Sequence, residues 1–331
     1  MNPVEKISGS NWEDLEKRVI SSQFDQGCDS LHPPGAWVGY ITFEGEYEFA
    51  LFPEPDVLTG DSLLPEELNV PDSEVTGWTS TPSQLEYEAM VKKAQHYIEA
   101  GDIYQVNLCR TFQRRAGGFD PWAYFQRLWQ ITAAPYSAYL ESDRRCLLSA
   151  SPELFLRIDG RQVMTQPIKG TRPRGNDLIG DQQNAHELST HEKEIAELIM
   201  ITDLERNDLG QICEYGTVAV PELVHLGTFS HVHHLYSTVT GELKDDLNII
   251  QALGACLPGG SITGAPKKRA NEIIQQLEKK QRGPYTGVIG YIGLDGTAQF
   301  SIAIRTAVFE NDELHFGVGS GITAGSNPAK E

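Results

Sequence analysis

One lysine stands in a segment whose composition suits nucleophilic chemistry. Lys169 lies in residues 164–175, MTQPIKGTRPRG, where prolines and glycines exclude a helix and Arg172 and Arg174 follow closely. Two fixed positive neighbours favour the neutral form of an amine, which is its nucleophilic form. The segment therefore predicts a nucleophilic lysine, and a solvated basic loop is the alternative that the motif alone leaves open.

A predicted β-hairpin places this lysine just beyond a strand. Residues 154–158 and 162–165 flank Asp159-Gly160, a dipeptide typical of two-residue hairpin turns. At the start of the hairpin, Glu153 precedes Leu154 and Phe155, whose apolar side chains would raise its pKa. An exposed glutamate at a strand start is the alternative for Glu153.

Further charged groups lie at suggestive spacings. Glu194 and Glu197 are three residues apart in a predicted helix, 186–204, so they share one face. A solvated helix face is the alternative interpretation of this pair. Arg305 interrupts the apolar strand pattern IAIRTA, which predicts a buried anionic partner. His231, His233 and His234 lack cysteine or carboxylate partners at ligand spacing, so we predict no zinc site.

Composition restricts the class of protein. The chain has 331 residues, of which 40% are hydrophobic and 22% charged, as in soluble globular proteins. Its net charge of −19 argues against nucleic acid or an anionic membrane as a partner. Five widely separated cysteines without a CxxC motif predict reduced thiols. With no leader and no long apolar run, we expect a soluble cytoplasmic protein.

Blocks of hairpins and helices predict an α+β fold with antiparallel sheet. We expect an N-terminal β-containing region, 1–82, packed on a catalytic domain, 83–331, with 53–82 as a surface connection. Ser83 and Glu86 form a capping-box pattern at the start of a helix. Towards the end of the chain we expect one strand over 299–309.

The motif PIKGTRPRG resembles the signature of the chorismate-utilising enzymes. Lysine in its third position is typical of the aminodeoxychorismate synthase component I subfamily, whereas anthranilate synthase component I typically has alanine there. The similarity continues in order through ELFLRIDG, KEIAELIMITDLERNDLG, HVHHLYSTVTGEL, PGGSITGAPKKRA, GPYTGVIGYIG and FSIAIRTA. It implies one large domain of two stacked, largely antiparallel sheets flanked by helices, with the active site between them.

The resemblance also implies a reaction. Chorismate would be aminated at C4 to 4-amino-4-deoxychorismate, a p-aminobenzoate and folate precursor, with Lys169 adding at C2 and Glu153 as general acid. Ammonia would come from a glutamine amidotransferase subunit. Magnesium would be bound by Glu194, Glu197 and Glu331. The matching substrate-binding residues are Thr171, His234, Ser261, Tyr285, Arg305, Gly319 and Gly321.

Gln105 bears on the choice of nucleophile. Water-adding members of the family have a lysine base at this position, and an amide cannot act as that base. Amination is therefore favoured over hydration. Anthranilate synthase component I and a chorismate-binding protein without turnover are the alternatives.

Two further expectations concern the ends of the chain. Relatives continue beyond SNPAKE with a short helix that carries another glutamate and a lysine, so the resemblance implies a shortened C-terminal end with an incomplete magnesium shell. The first third is shorter than in relatives that bind tryptophan, and we predict no tryptophan site.

Overall fold

The computed structural model of the protein describes residues 3–23, 35–53 and 77–331. Its helices are α1 (Trp12–Gln23), α2 (Gln84–Glu99), α3 (Pro121–Thr132), α4 (Leu178–Thr190), α5 (Glu192–Ile212), α6 (Ile249–Cys256) and α7 (Lys267–Leu277). Its first strands are β1 (Glu5–Gly9), β2 (Ala36–Ile41), β3 (Tyr47–Phe52), β4 (Thr79–Thr81), β5 (Gln105–Arg115), β6 (Tyr136–Glu141), β7 (Cys146–Ser151), β8 (Leu154–Asp159) and β9 (Gln162–Gln166). The later strands are β10 (Ile168–Pro173), β11 (Ala219–Thr228), β12 (Val232–Glu242), β13 (Gly264–Ala265), β14 (Val288–Gly293), β15 (Ala298–Ile302), β16 (Thr306–Glu310) and β17 (Glu313–Ile322).

Two antiparallel sheets organise the described residues, as expected for an α+β domain. The larger runs β1-β3-β2-β14-β15-β8-β9-β12-β10, with β11 also paired to β12. The smaller runs β13-β5-β17-β16-β7-β6, with β4 also paired to β5. Because β2 pairs with β14, strands from 1–82 and 83–331 share one sheet.

The main core packs helices against the larger sheet. Its largest fully buried side chains include Trp37, Phe49 and Phe300, and Phe49 and Phe300 meet edge to face at 6.1 Å. Leu253 of α6 and Ile212 of α5 belong to the same cluster. Removal of this apolar surface from water is the main force that holds the helices on the sheet.

Local sequence signals are confirmed at two element starts. Ser83 caps α2 in a capping box, with its backbone N–H 2.9 Å from Glu86 Oε2. The hairpin of β8 and β9 closes on Asp159 opposite Gln162, and Gly160 has a left-handed φ of 57°.

The strand expected over 299–309 is wrong as a single element. β15 ends at Ile302 in the larger sheet, and β16 begins at Thr306 in the smaller sheet. Arg305 lies in the connection with a φ of 51°, a left-handed conformation that a continuing strand does not adopt. This short connection therefore carries the chain from one sheet to the other.

The helix expected over 186–204 is divided in two. His191 separates α4 from α5 because its ψ of 98° is not helical. Its Nδ1 atom accepts the backbone N–H of Glu194 at 3.4 Å, so the side chain caps a new helix.

Some expectations fall outside the described residues. Of the predicted connection 53–82, residues 54–76 lie outside them, and 77–82 contain β4. Cys28 lies outside them too, whereas the other four cysteines have free thiols. Within the described ranges, none of the helices has both the length and the apolar character that crossing a bilayer requires.

Candidate active site

Lys169 lies on β10, beside a bulge in the pairing of β10 with β12. Thr171 is opposite His234, and the register shifts between Lys169 and Thr171. Gly170, between them, has a φ of 77°, and a Cβ there would lie 2.7 Å from Glu194 Oε2. Glycine therefore permits both the bulge and the close approach of α5.

The Lys169 amine and the Glu153 carboxyl group meet at Ser261. Lys169 Nζ donates to the carbonyl oxygen of Ser261 at 3.2 Å, and the Ser261 hydroxyl group donates to the Glu153 carboxylate. Ser261 is only 4% exposed and lies in a 3-10 turn, Gly260–Ile262, which precedes β13. A candidate nucleophile and a candidate acid thus share one buried serine.

Burial raises the pKa of Glu153 above its ordinary value. The residue is 5% exposed, and its neighbours Leu154 and Phe155 are also buried, as the sequence predicted. The charge of Lys169, the Ser261 hydroxyl group, the Ile168 N–H and the charge of Arg305 act in the opposite direction, yet the pKa stays raised. A raised pKa favours the protonated form of the carboxyl group, which suits general acid catalysis.

Arg172 and Arg174 do not act as free positive neighbours of Lys169, contrary to our expectation. Arg172 bonds to Glu194 Oε1 at 3.1 Å and to a carboxylate oxygen on α4 at 3.0 Å. Arg174 makes two bonds to Asp181, at 2.7 and 2.8 Å. Carboxylates therefore balance both charges, and the arginines fasten β10 to α4 and α5.

His234 is a buried, neutral member of the site. It is 2% exposed, and burial lowers its pKa to about 4. Its Nδ1 atom lies 2.9 Å from Thr171 Oγ1 and 3.4 Å from the Gly170 carbonyl oxygen. A proton on Nδ1 would donate to the Gly170 carbonyl oxygen, whereas an unprotonated Nδ1 would accept from the Thr171 hydroxyl group.

Arg305 is exposed, whereas the sequence predicted a buried arginine. The reason is the connection between β15 and β16, which places it outside either strand. Its positive charge lowers the pKa of both Glu153 and His234, so the charge acts on the same part of the molecule as these two residues. Arg305 can therefore meet a ligand carboxylate beside the candidate acid.

Where β17 pairs with β5, glycines of β17 allow other side chains to approach the strand backbone closely. One face of β17 carries three of them at alternate positions, Gly317, Gly319 and Gly321. A Cβ at these positions would lie 2.3 Å from Tyr285 Cγ, 2.6 Å from Asn107 Oδ1 and 2.5 Å from Gln105 Nε2, respectively. The aromatic ring and both amides therefore lie directly on the strand backbone.

The three predicted magnesium ligands have different surroundings. Glu194 Oε2 is buried with no hydrogen-bond donor among the described residues, which fits a metal ligand. Glu197 forms a salt bridge with Lys193 at 3.6 Å, and Glu331 accepts the Ser320 hydroxyl group. The described part of the chain contains no cluster of three or more His, Cys, Asp or Glu that could hold a metal ion. Magnesium binding thus stays a prediction, with Glu194 as its best-placed residue.

Two buried acids on α5 were missed by the sequence patterns. Glu205 and Asp208 are 4% and 2% exposed, and Asp208 pairs with Lys267 at 2.7 Å. Glu205 accepts the N–H of Gly260, and burial together with the charge of Asp208 raises its pKa to about 8. Helical spacing from buried Leu198 would have placed both acids on the buried face.

We expect Glu205→Gln to stabilise the protein increasingly as pH rises from 5 to 8. The raised pKa means that the folded state holds a proton that the unfolded state has released, so wild-type stability falls with pH across this interval. The amide keeps an acceptor for Gly260 and carries no charge. At pH 8 the gain should be roughly 2 kcal/mol or more, since each pKa unit corresponds to about 1.4 kcal/mol.

Urea denaturation at both pH values measures this difference. The exposed Glu192→Gln variant on the same helix is the control and should differ little from wild type. A Glu205→Gln variant less stable than wild type at pH 8 would contradict the assignment of Glu205 as a destabilising buried acid.

Comparison with known proteins agrees with this architecture. The family model for chorismate binding enzymes matches residues 54–331. Anthranilate synthase component 1 of Saccharolobus solfataricus is 42% identical over 80% of this chain and 62% of its own length. Aminodeoxychorismate synthase component 1 of Salmonella typhimurium is 43% identical over 77% of this chain and 56% of its own length. The chain thus spans little more than half the length of these relatives.

Among solved structures, anthranilate synthase component I from Streptococcus pneumoniae superposes with a TM-score of 0.84 at 25% identity. The alignment covers 100% of this chain and 88% of that one. Because it covers the whole chain, the alignment includes Lys169, Glu153 and Ser261. The chain therefore belongs to the family of chorismate binding enzymes.

Proposed function

We propose that the protein replaces the C4 hydroxyl group of chorismate with an amino group, giving 4-amino-4-deoxychorismate. The observation that carries this proposal is the meeting of Lys169 and Glu153 at Ser261. An amine can add to a ring carbon and later depart, while a protonated carboxyl group can assist a hydroxyl leaving group. These are the two groups that a substitution through a covalent intermediate requires.

In the first step, the Lys169 nitrogen forms a bond to C2. The ring double bonds move from C1–C2 and C5–C6 to C1–C6 and C4–C5, and the C4–O bond breaks. The oxygen takes the proton of Glu153 and leaves as water. The raised pKa of Glu153 supports this role, because the acid must hold its proton when substrate binds.

In the second step, ammonia attacks C4 and the double bonds return to their original positions. The bond between C2 and the Lys169 nitrogen breaks, and its electron pair returns to the lysine. The new amino group releases a proton that restores Glu153. The sum is chorismate plus ammonia giving aminodeoxychorismate plus water, without oxidation or reduction.

Cationic and neutral donors would hold the two substrate carboxylates. We propose that the enolpyruvyl carboxylate is bound by the exposed Arg305, whose charge lowers the pKa of Glu153, and by Tyr285. The backbone of Gly319 and Gly321 is proposed to contact a carboxylate closely. Magnesium, with Glu194 as its main protein ligand, would neutralise the ring carboxylate when bound.

Ammonia is proposed to come from a separate glutamine amidotransferase subunit in the cytoplasm. Relatives carry the name component 1, which supports a second component. Gln105 supports ammonia over water as nucleophile, since a buried amide offers no base.

The second candidate is synthesis of anthranilate, which relatives at nearly the same identity are named for. The two reactions differ in whether the enolpyruvyl group is lost as pyruvate. We expect no pyruvate when the protein turns over chorismate with ammonium and magnesium, as followed by lactate dehydrogenase and NADH. Pyruvate formed in step with chorismate loss would replace the proposal by the anthranilate reaction.

A further inference from the structure

The 3-10 turn Gly260–Ile262 lies directly on α5. A Cβ on Gly260 would lie 2.6 Å from Leu204 Cδ2 and 3.0 Å from Glu205 Oε1, so a larger residue would push the turn away from the helix. The Gly260 N–H donates to the Glu205 carboxyl group, which is almost fully buried. Because Gly260 directly precedes Ser261, Glu205 holds the turn next to this serine.

A second acid of α5 holds the two ends of the same segment. Asp208 follows Glu205 by about one helical turn and accepts Lys267 Nζ at 2.7 Å. Lys267 Nζ also donates to the carbonyl oxygen of Cys256 at 2.9 Å. The helix therefore binds both ends of the segment 256–267 through Asp208 and its middle through Glu205.

Ser261 transmits the position of the turn to the proposed nucleophile and acid. Its carbonyl oxygen accepts Lys169 Nζ at 3.2 Å, and its hydroxyl group donates to Glu153. The charge of Lys169 and the Ser261 hydroxyl group both lower the pKa of Glu153. A turn that shifted on α5 would weaken both interactions, so the pKa of Glu153 would rise.

We propose that Glu205 is a positioning residue of the reaction. Its bond to the Gly260 N–H fixes the turn, and the turn presents Ser261 to the nucleophile and the acid. Glu205 acts through Ser261 and not on the substrate itself. The required feature is the acceptor and not the negative charge, since an amide oxygen can accept the same N–H. The inference rests on the proposed function for its effect on turnover.

The test compares two uncharged variants, Glu205→Leu without the acceptor and Glu205→Gln with it. The measured quantity is the pKa of Glu153 without substrate, from NMR titration of ¹³C-labelled glutamate carboxyl groups. Glu153→Gln identifies the resonance. We expect this pKa to be about 0.5 to 1 unit higher in Glu205→Leu than in Glu205→Gln, because hydrogen bonding to the ionised acid is partly lost.

The two variants leave the other titratable groups around Glu205 in place. These groups are Asp208 on the same helix, Lys267 of α7, Glu153 at the start of β8 and Cys256 of α6. Their charges act equally on both variants, so the difference between the variants reports the missing acceptor.

Turnover of chorismate at about pH 6 is the second measurement. The pKa of Glu205 is about 8, so the wild-type side chain is also uncharged at this pH. We expect Glu205→Leu to lower kcat at least about fivefold, because misplaced catalytic groups react slowly, and Glu205→Gln to stay within about twofold of wild type. Gly260→Ala displaces the turn from its other side and should raise the pKa of Glu153 in the same way. It replaces Glu205→Leu if that variant does not fold.

Thr202→Val is the matched control on the same helix. Thr202 is buried, and its hydroxyl group donates to the Leu198 carbonyl oxygen within α5 at 2.7 Å. The replacement changes the buried face of the helix without removing the bond to Gly260. The pKa of Glu153 and the turnover should therefore both match wild type.

The outcomes separate this inference from the proposed function. Equal pKa values of Glu153 in folded Glu205→Leu and Glu205→Gln overturn the positioning role, as does an equal loss of turnover in both variants. A rise of the same size in Thr202→Val also overturns it. Anthranilate as the product overturns the proposed function but leaves the pKa comparison valid, because that comparison is made without substrate.

Discussion

Lys169→Ala should abolish formation of aminodeoxychorismate while leaving the fold intact. The side chain is the proposed covalent nucleophile, and removal of such a group costs on the order of a thousandfold or more in turnover. Among the described residues, the Lys169 side chain makes one hydrogen bond, to the Ser261 carbonyl oxygen at 3.2 Å, so the effect on stability should be small. Turnover by product chromatography and thermal unfolding are the two measurements.

Two variants make the interpretation specific. Lys169→Arg retains the positive charge but not a nucleophilic amine, so it should be nearly as inactive as the alanine variant. Lys268→Ala removes an exposed lysine of α7 and should retain activity. Full activity in folded Lys169→Ala would refute the covalent role of this residue.

Glu153→Gln should lower turnover by about 100- to 10,000-fold, the range expected for loss of a general acid. The amide keeps the size of the side chain and can accept the Ser261 hydroxyl group, but it cannot protonate the leaving oxygen. Glu153 is 5% exposed, so the amide also removes a costly buried ionisation and should not destabilise the fold.

The pH dependence of wild-type turnover provides an independent check on Glu153. Because its pKa is raised and the acid acts in its protonated form, activity should be retained on the acidic side and fall as pH rises through that pKa. Glu153→Gln should lose this alkaline decline. A wild-type profile that instead rises over the same interval would mean that Glu153 acts as a base.

Short-range signals predicted much of the fold. The hairpin of β8 and β9 followed from Asp159-Gly160, and the start of α2 followed from Ser83 and Glu86. These features depend on a few neighbouring residues, so their physical cause is visible in the sequence. The resemblance supplied the long-range arrangement of two sheets, which no local pattern determines.

The errors arose where tertiary contacts decide the outcome. The left-handed conformation of Arg305 moves the chain between sheets, although its apolar neighbours suggested one continuous strand. The positive charges of Arg172 and Arg174 are balanced by carboxylates from α4 and α5, which are distant enough in sequence to escape a local argument. Gln105 and Asn107 are alternate residues of β5, so their common strand face could be predicted from the sequence. The lack of a donor for the Asn107 side-chain oxygen among the described residues could not.

The most direct test of the central claim is mass spectrometry of the product formed from chorismate, magnesium and ¹⁵N-labelled ammonium. The account predicts a product in which the C4 hydroxyl group is replaced by a labelled amino group and the enolpyruvyl group is retained. Labelled anthranilate, or chorismate recovered unchanged under conditions in which it binds, would contradict it.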